Sequence, residues 1–86
     1  MIIEDFTLGE RIMVYRKRTG LTKAEFAKMT HVSVSTLGKY EADLVENPDI
    51  DILNNFSIIL GVSVNKLIMG IEDPNKRMAL ESLIKS

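Results

Sequence analysis

The chain has 86 residues, of which 45% are hydrophobic and 27% are charged, a composition typical of a single globular domain over residues 1–86. It has no cysteine, which excludes disulfides and thiolate metal sites. The net charge is −1, yet residues 7–41 carry seven Lys or Arg against three acids, and residues 42–86 carry four against seven. This division predicts one basic face that could attract a polyanion.

The chain also lacks the sequence features of a membrane or exported protein. No apolar run approaches the roughly 18 residues that span a bilayer. The first residues, "MIIEDF", are acidic and too short in apolar content for a signal peptide. The cytoplasm is therefore the expected location.

The first predicted helix begins at a capping box. Thr7 is followed three residues later by Glu10, so each side chain can bond the backbone N–H of the other residue. Apolar residues then recur at helical spacing as far as Gly20, a residue that tolerates a left-handed backbone. These signals predict a helix over about residues 8–18.

Two more short helices are predicted on either side of a turn. Thr22 and Glu25 form a second capping box, which predicts a helix over about residues 23–29. The apolar inner side of that helix is expected to comprise Ala24, Phe26, Ala27 and Met29. Ser33 is the predicted cap of the next helix, over about residues 34–41, with Leu37 and Tyr40 facing inward. A helix, a turn of about four residues and a second helix have helix-turn-helix spacing.

Three further segments complete the predicted all-α fold, a five-helix bundle with a short C-terminal helix. Pro48 and Asp49 begin the fourth helix, which Gly61 ends; its apolar stripe is Ile50, Leu53, Phe56, Ile59 and Leu60. Ser63 caps a short fifth helix that runs through Met69 to Gly70. Asp73 and Pro74 form a favoured start for the last helix.

Four stretches of this pattern, "LGERI", "GLTKAEFAK", "VSVSTLGKYE" and "LGVSVNKLIMG", together resemble the lambda-repressor-like family of phage repressors and bacterial regulators. The resemblance runs from Thr7 to Gly70, so the core is placed at residues 7–70 and a C-terminal extension at residues 71–86. In that family the second helix lies over the DNA backbone and the third enters the major groove. The resemblance therefore implies a sequence-specific DNA-binding transcriptional regulator, and in particular a repressor.

The resemblance also implies which residues meet DNA: Lys23, Ser33, Val34, Ser35, Thr36, Gly38 and Lys39. Lys39 is the one long donor on the third helix. Val34 could pack on a thymine methyl group and Ser35 could bond either base type, but neither makes a bidentate contact. Gly38 could let the helix sit deeper in the groove. Base reading is therefore expected to be thin and assisted by DNA shape.

Other positions are given structural roles. The resemblance implies a buried pair between Arg16 and Glu41 that fixes geometry. His31 stands at a turn position usually held by Gly, so it should adopt a positive φ. The loop "ADLVENP" is acidic and about one residue longer than usual, and Asp43 and Glu46 would repel a DNA backbone if they faced it.

Two functions from different classes remain open at this point. The first is the DNA-binding regulator, expected to act as a homodimer on double-stranded DNA because one such helix contacts few base pairs. Its dimer surface would be the last helix or the apolar tail Leu80–Ile84. The second is a helix-turn-helix module, antitoxin-like or regulator-binding, that binds a protein partner and little or no DNA. The acidic C-terminal half, the acidic loop and the poor set of base-reading residues favour the second. A third, weaker hypothesis is a DNA-binding domain that relies on a partner subunit for specificity.

Catalysis is not expected. His31 is the only histidine, and the sequence shows no nucleophile paired with it, no paired carboxylates in a defined pocket and no Gly-rich phosphate loop. No cofactor and no metal are expected either.

Overall fold

The computed structural model of the chain describes residues 6–70. In this part of the chain every regular element is an α-helix, in the order α1 (Leu8–Thr19), α2 (Lys23–Met29), α3 (Val34–Glu41), α4 (Ile50–Leu60) and α5 (Val64–Met69). The five-helix prediction for the core is confirmed. The helix predicted from Asp73 and Pro74, the extension at residues 71–86 and the tail Leu80–Ile84 lie outside the described residues.

The helices begin at their predicted caps. The Thr7 hydroxyl accepts from the backbone N–H of Glu10 at 3.1 Å, and the Glu10 carboxylate accepts from that of Thr7 at 2.9 Å. The same reciprocal pair joins Thr22 and Glu25. Asp49 caps α4, and Pro48 lies before the helix. Each cap satisfies backbone donors that a helix start leaves unpaired.

Three glycines end helices in the left-handed conformation, as predicted. Gly20, Gly61 and Gly70 have φ values of 79°, 70° and 81° and follow α1, α4 and α5. A side chain disfavours this conformation, so glycine is the residue that stops a helix there with least strain.

One aromatic cluster lies at the centre of the core. The ring centroids of Phe26 and Phe56 are 5.1 Å apart, and Tyr40 meets Phe56 edge-on at 5.4 Å. The other buried apolar residues of the core are Ile12, Tyr15, Ala27, Leu37, Leu53, Leu60 and Leu67. The core thus joins all five helices and fixes the orientation of α2 and α3.

Three residues predicted to face the core lie at the surface instead. Ala24 is exposed, and Met29 and Ile50 are 47% and 56% exposed. Helix α2 has only seven residues and buries Phe26 and Ala27 alone. Ile50 is the first residue of α4, before that helix meets the core.

Arg11 has a structural role that its charge alone does not suggest. It is 5% exposed, and its Nε donates to the Leu67 carbonyl oxygen at 2.6 Å. Its terminal nitrogens donate to the carbonyls of Phe6 and Ile68. A guanidinium placed on the last carbonyls of a helix satisfies acceptors that have no partner within that helix. Arg11 therefore ties α1 to α5 and is not part of an exposed basic face.

Candidate nucleic-acid interface

Helices α2 and α3 form a helix-turn-helix unit with a tight turn. His31 has a φ of 63°, which confirms the positive value predicted at this turn position. The backbone N–H of Val32 donates to the Ala27 carbonyl at 3.0 Å, and the buried Thr30 hydroxyl donates to that of Phe26 at 2.8 Å. These bonds fold the turn back onto α2 and so set the angle at which α3 leaves it.

Helix α3 has an inward and an outward face. Leu37 and Tyr40 are buried, as predicted. At about 100° per residue, Ser35, Gly38 and Lys39 lie on the opposite side of the helix, and Val34 lies at the edge of that side, one turn before Gly38. We call these four residues the outward face of α3. Val34, Ser35 and Lys39 are exposed and Gly38 is partly exposed, so the fold presents this face to solvent.

Within residues 6–70, no contact requires position 38 to be glycine. It lies within α3, and a Cβ atom added to it would meet nothing within 4 Å. Glycine costs about 0.8–1.0 kcal/mol relative to alanine inside a helix. The fold bears this cost with no compensating contact around the residue.

Ser33 and Thr36, two of the predicted DNA-binding residues, are engaged with each other. The Ser33 hydroxyl accepts from the backbone N–H of Thr36 and donates to the Thr36 hydroxyl, both at 3.0 Å. Their arrangement caps α3. Any contact with DNA would have to add to this cap or replace part of it.

The exposed positive charge is smaller than the composition predicted. Arg11 and Arg16 are buried among protein acceptors, which leaves five exposed cations from the basic half: Lys17, Arg18, Lys23, Lys28 and Lys39. Lys23 is the first residue of α2, and Lys39 lies on the outward face of α3. The guanidinium carbon of Arg18 lies 5.9 Å from the centroid of the Tyr15 ring. The two lysines on the helix-turn-helix that resemblance singled out are both open to solvent.

The predicted pair between Arg16 and Glu41 is present. The Arg16 Nε lies 2.7 Å from Glu41 Oε2, and a second nitrogen donates to Oε1 at 3.2 Å. The side chains are 7% and 4% exposed. A third bond runs to the Leu21 carbonyl at 3.0 Å. This bidentate pair holds the end of α3 against α1 and so has a positioning role.

Asp43 in the acidic loop is directed at α1. It has a φ of 58°, and its carboxylate accepts from the backbone N–H of Gly9 at 2.9 Å and from the Thr7 hydroxyl at 2.5 Å. A carboxylate at a helix N-terminus is favoured by the helix dipole. Glu46 remains exposed. Asp43 therefore binds the start of α1, although it remains exposed.

Sequence reasoning missed the role of Gly9. A Cβ atom on Gly9 would lie 2.5 Å from the Tyr40 carbonyl oxygen and 2.6 Å from that of Glu41. Contacts this short are not tolerated, so glycine is required for α1 to approach the end of α3. One signal was available, because a glycine in the first turn of a capped helix costs stability and usually has a packing reason.

The residues described also bear on two other classes of site. No three His, Asp or Glu side chains within residues 6–70 come together as a metal site would require. None of the helices described there combines the length and the apolar character needed to cross a bilayer.

The comparisons with known proteins match this architecture. A Helix-turn-helix family model matches residues 12–67. The HTH-type transcriptional regulator SinR of Bacillus subtilis is 39% identical over 61 residues, which cover 71% of this chain and 55% of SinR. This chain thus spans about half the length of that relative.

Two solved structures are similar as well. One is SinR, described as the master regulator for biofilm formation, in complex with DNA. Its chain is 39% identical to this one, with a TM-score of 0.67, and the match covers 71% of this chain and 97% of that chain. The P22 c2 repressor bound to a synthetic operator is 30% identical, with a TM-score of 0.72 over 77% and 98% of the two chains.

Proposed function

Since this chain belongs to the helix-turn-helix family of lambda-repressor-like proteins, we propose that it is a transcriptional regulator that binds double-stranded DNA. The observation that carries the proposal is the outward face of α3, which the fold presents to solvent. Relatives with the same helix-turn-helix are described in complex with DNA or an operator. Helix α3 lies in the major groove, and α2 lies across the backbone.

Each residue of the interface has a role that its exposure and chemistry support. Lys39 donates to a base edge or a phosphate from the outward face, and Lys23 donates to a phosphate at the start of α2, where backbone N–H groups also point outward. Ser35 bonds a base edge as donor or acceptor. Ser33 and Thr36 position the first turn of α3 through their shared cap and approach a phosphate.

The regulator acts as a homodimer that represses by covering a promoter. One outward face contacts only a few base pairs, whereas two copies related by a two-fold axis read both halves of a palindrome. Half-sites then lie about one DNA turn apart, roughly 34 Å. The unit that binds DNA is residues 7–70, and access to operator DNA places the protein in the cytoplasm.

Selection from random duplex oligonucleotides, followed by titration of the selected site at several salt concentrations, tests the proposal. Wild-type protein should enrich a short palindrome, and log affinity should fall linearly with log salt. Lys23→Ala and Lys39→Ala should each flatten that slope by roughly 0.9, the value for one lost phosphate contact. Weakening by Lys39→Ala that differs between sequences would identify a base contact.

Lys66→Ala is the matched control. Lys66 lies on α5, which packs on α1 and α4, away from the helix-turn-helix. Its removal should leave the slope within error of wild type. If all three variants and the wild type bind duplex equally poorly at low salt, the DNA-binding function is wrong, and a module that binds a protein partner becomes the better account.

A further inference from the structure

The end of α5 exposes two apolar side chains. Ile68 and Met69 are 41% and 44% exposed, although Leu67 beside them is fully buried. Helix α5 packs mainly on α1 and α4, so its other side faces outward. Within residues 6–70 no element covers Ile68 and Met69, and we call these two residues the α5 patch.

The chain continues directly from the α5 patch. Gly70 follows Met69 with a φ of 81°, a left-handed conformation that ends α5 and turns the backbone. Sixteen residues come after it, and residues 71–73 alone separate it from the helix that the sequence predicts to begin at Pro74. Helices joined by a connection this short are generally antiparallel neighbours in contact.

The predicted helix has an apolar stripe. At about 100° per residue, one side of it would consist of Ala79, Leu80, Leu83 and Ile84. The opposite side would consist of Met78, Glu81, Ser82 and Lys85. A helix of about a dozen residues is marginal in water by itself, so it forms where such a stripe is buried against another element.

We propose that residues 74–84 pack on the α5 patch of the same chain, with the apolar stripe over Ile68 and Met69. The short connection favours this arrangement over a contact with a second copy. It holds the stripe beside the patch at an effective concentration in the millimolar range, whereas a second copy has to reach the patch by diffusion. The tail Leu80–Ile84, expected from sequence as a dimer surface, would then be used within one chain.

Two native methionines make the coverage measurable in the full chain without altering the α5 patch. Met69 lies in the patch, and Met29 lies at the end of α2 with a similar exposed fraction, 47% against 44%. Hydrogen peroxide converts methionine to its sulfoxide, and a covered sulfur reacts slowly. Peptide mass spectrometry gives the two rates separately. Met69 should be oxidised at least about 5-fold more slowly than Met29, as expected for a side chain whose exposed fraction falls below about a tenth.

Charges placed in the apolar stripe should remove this protection. In the double variant Leu80→Asp with Leu83→Asp, Met69 should be oxidised about as fast as Met29, because buried carboxylates without partners prevent the contact. Circular dichroism checks that the variant keeps its helices. Ile84→Asp, a single change at the end of the stripe, should raise the Met69 rate by at least about 2-fold and takes the place of the double variant if that one unfolds.

The matched control places the same charges on the other side of the predicted helix. Met78→Asp with Ser82→Asp also adds two carboxylates to residues 74–84 but leaves the apolar stripe intact. The ratio of the Met69 and Met29 rates should stay as in wild type.

Three results would contradict the proposal. Equal rates for Met69 and Met29 in wild type, or a ratio that the stripe variants leave unchanged, would mean that residues 74–84 do not cover the α5 patch. Packing within one chain does not depend on protein concentration, so protection of Met69 that increases with concentration would assign the patch to a second copy. None of these results bears on DNA binding, which the salt titration tests separately.

Discussion

The two faces of α3 are eight residues of one helix, and they are constrained in opposite ways. The inward face and the end of the helix meet α1 through the Arg16–Glu41 pair and through Gly9, where carbonyl oxygens leave no room for a side chain. The outward face has open space at Gly38, and the side chains of Val34 and Ser35 are exposed to solvent. The comparison teaches that glycine can have opposite roles in one fold. The close approach of α1 to α3 requires it at Gly9, whereas at Gly38 it lowers helix stability.

Breaking the buried pair should have the largest effect on the inward side. Glu41→Ala leaves the Arg16 guanidinium buried without its carboxylate, so the free energy of unfolding should fall by about 3–5 kcal/mol. Urea denaturation followed by circular dichroism measures the change. The double variant Arg16→Met with Glu41→Leu removes both charges and should recover most of the loss. A loss below about 1 kcal/mol for Glu41→Ala would mean that the pair behaves as a surface ion pair.

A single added methyl group sharpens the contrast between the faces. Gly9→Ala should lower the free energy of unfolding by about 1–3 kcal/mol, because the backbone of α1 must move away from the Tyr40 and Glu41 carbonyls. Gly38→Ala is the matched control, and it should raise the same quantity by about 0.8–1.0 kcal/mol. Equal signs for the two variants in urea denaturation would contradict this description of α3.

The smallest expected effect on stability concerns Glu25, in the capping box at the start of α2. The backbone N–H of Thr22, and then its hydroxyl, hold the pKa of Glu25 below its ordinary value. Because the folded pKa is the lower one, this carboxylate stabilises the fold above the unfolded pKa of about 4.3, and the contribution is lost as the pH falls through the folded value.

Glu25→Gln keeps the capping box without a titrating group. The difference in stability between wild type and Glu25→Gln should therefore shrink as the pH is lowered from about 5 to about 3, since every other carboxylate titrates in both proteins. Parallel thermal melts across this range measure it. A difference that stays constant would show that the Glu25 charge contributes nothing.

The ends of the helices could be predicted from sequence because their signals are local. The Thr7–Glu10 and Thr22–Glu25 boxes each join residues three positions apart, and Gly20 acts at its own position. The pair between Arg16 and Glu41 came from resemblance, since nothing local links residues so far apart. The exposure of Met29 and Ile50 was missed because apolar spacing does not show how much of a short helix the rest of the fold covers.

The candidate interface was less accessible from sequence than the fold. That Arg11 lies buried depends on carbonyls of Leu67 and Ile68, more than fifty residues along the chain. The hydrogen bond from Gly9 to Asp43 depends on the positive φ of Asp43, which no sequence pattern predicted. The outward positions of Val34, Ser35, Gly38 and Lys39 followed from resemblance and helical periodicity together, and their contacts with DNA stay a prediction.

The bonds from Arg11 to the last turn of α5 set a practical limit on how short a working version of this protein can be. A truncation that removes Leu67 and Ile68 would take away two of the carbonyl oxygens that accept hydrogen bonds from the buried Arg11 guanidinium. Any fusion that borrows this helix-turn-helix as a targeting module must therefore keep the polypeptide at least to the end of α5, although that helix packs mainly on α1 and α4.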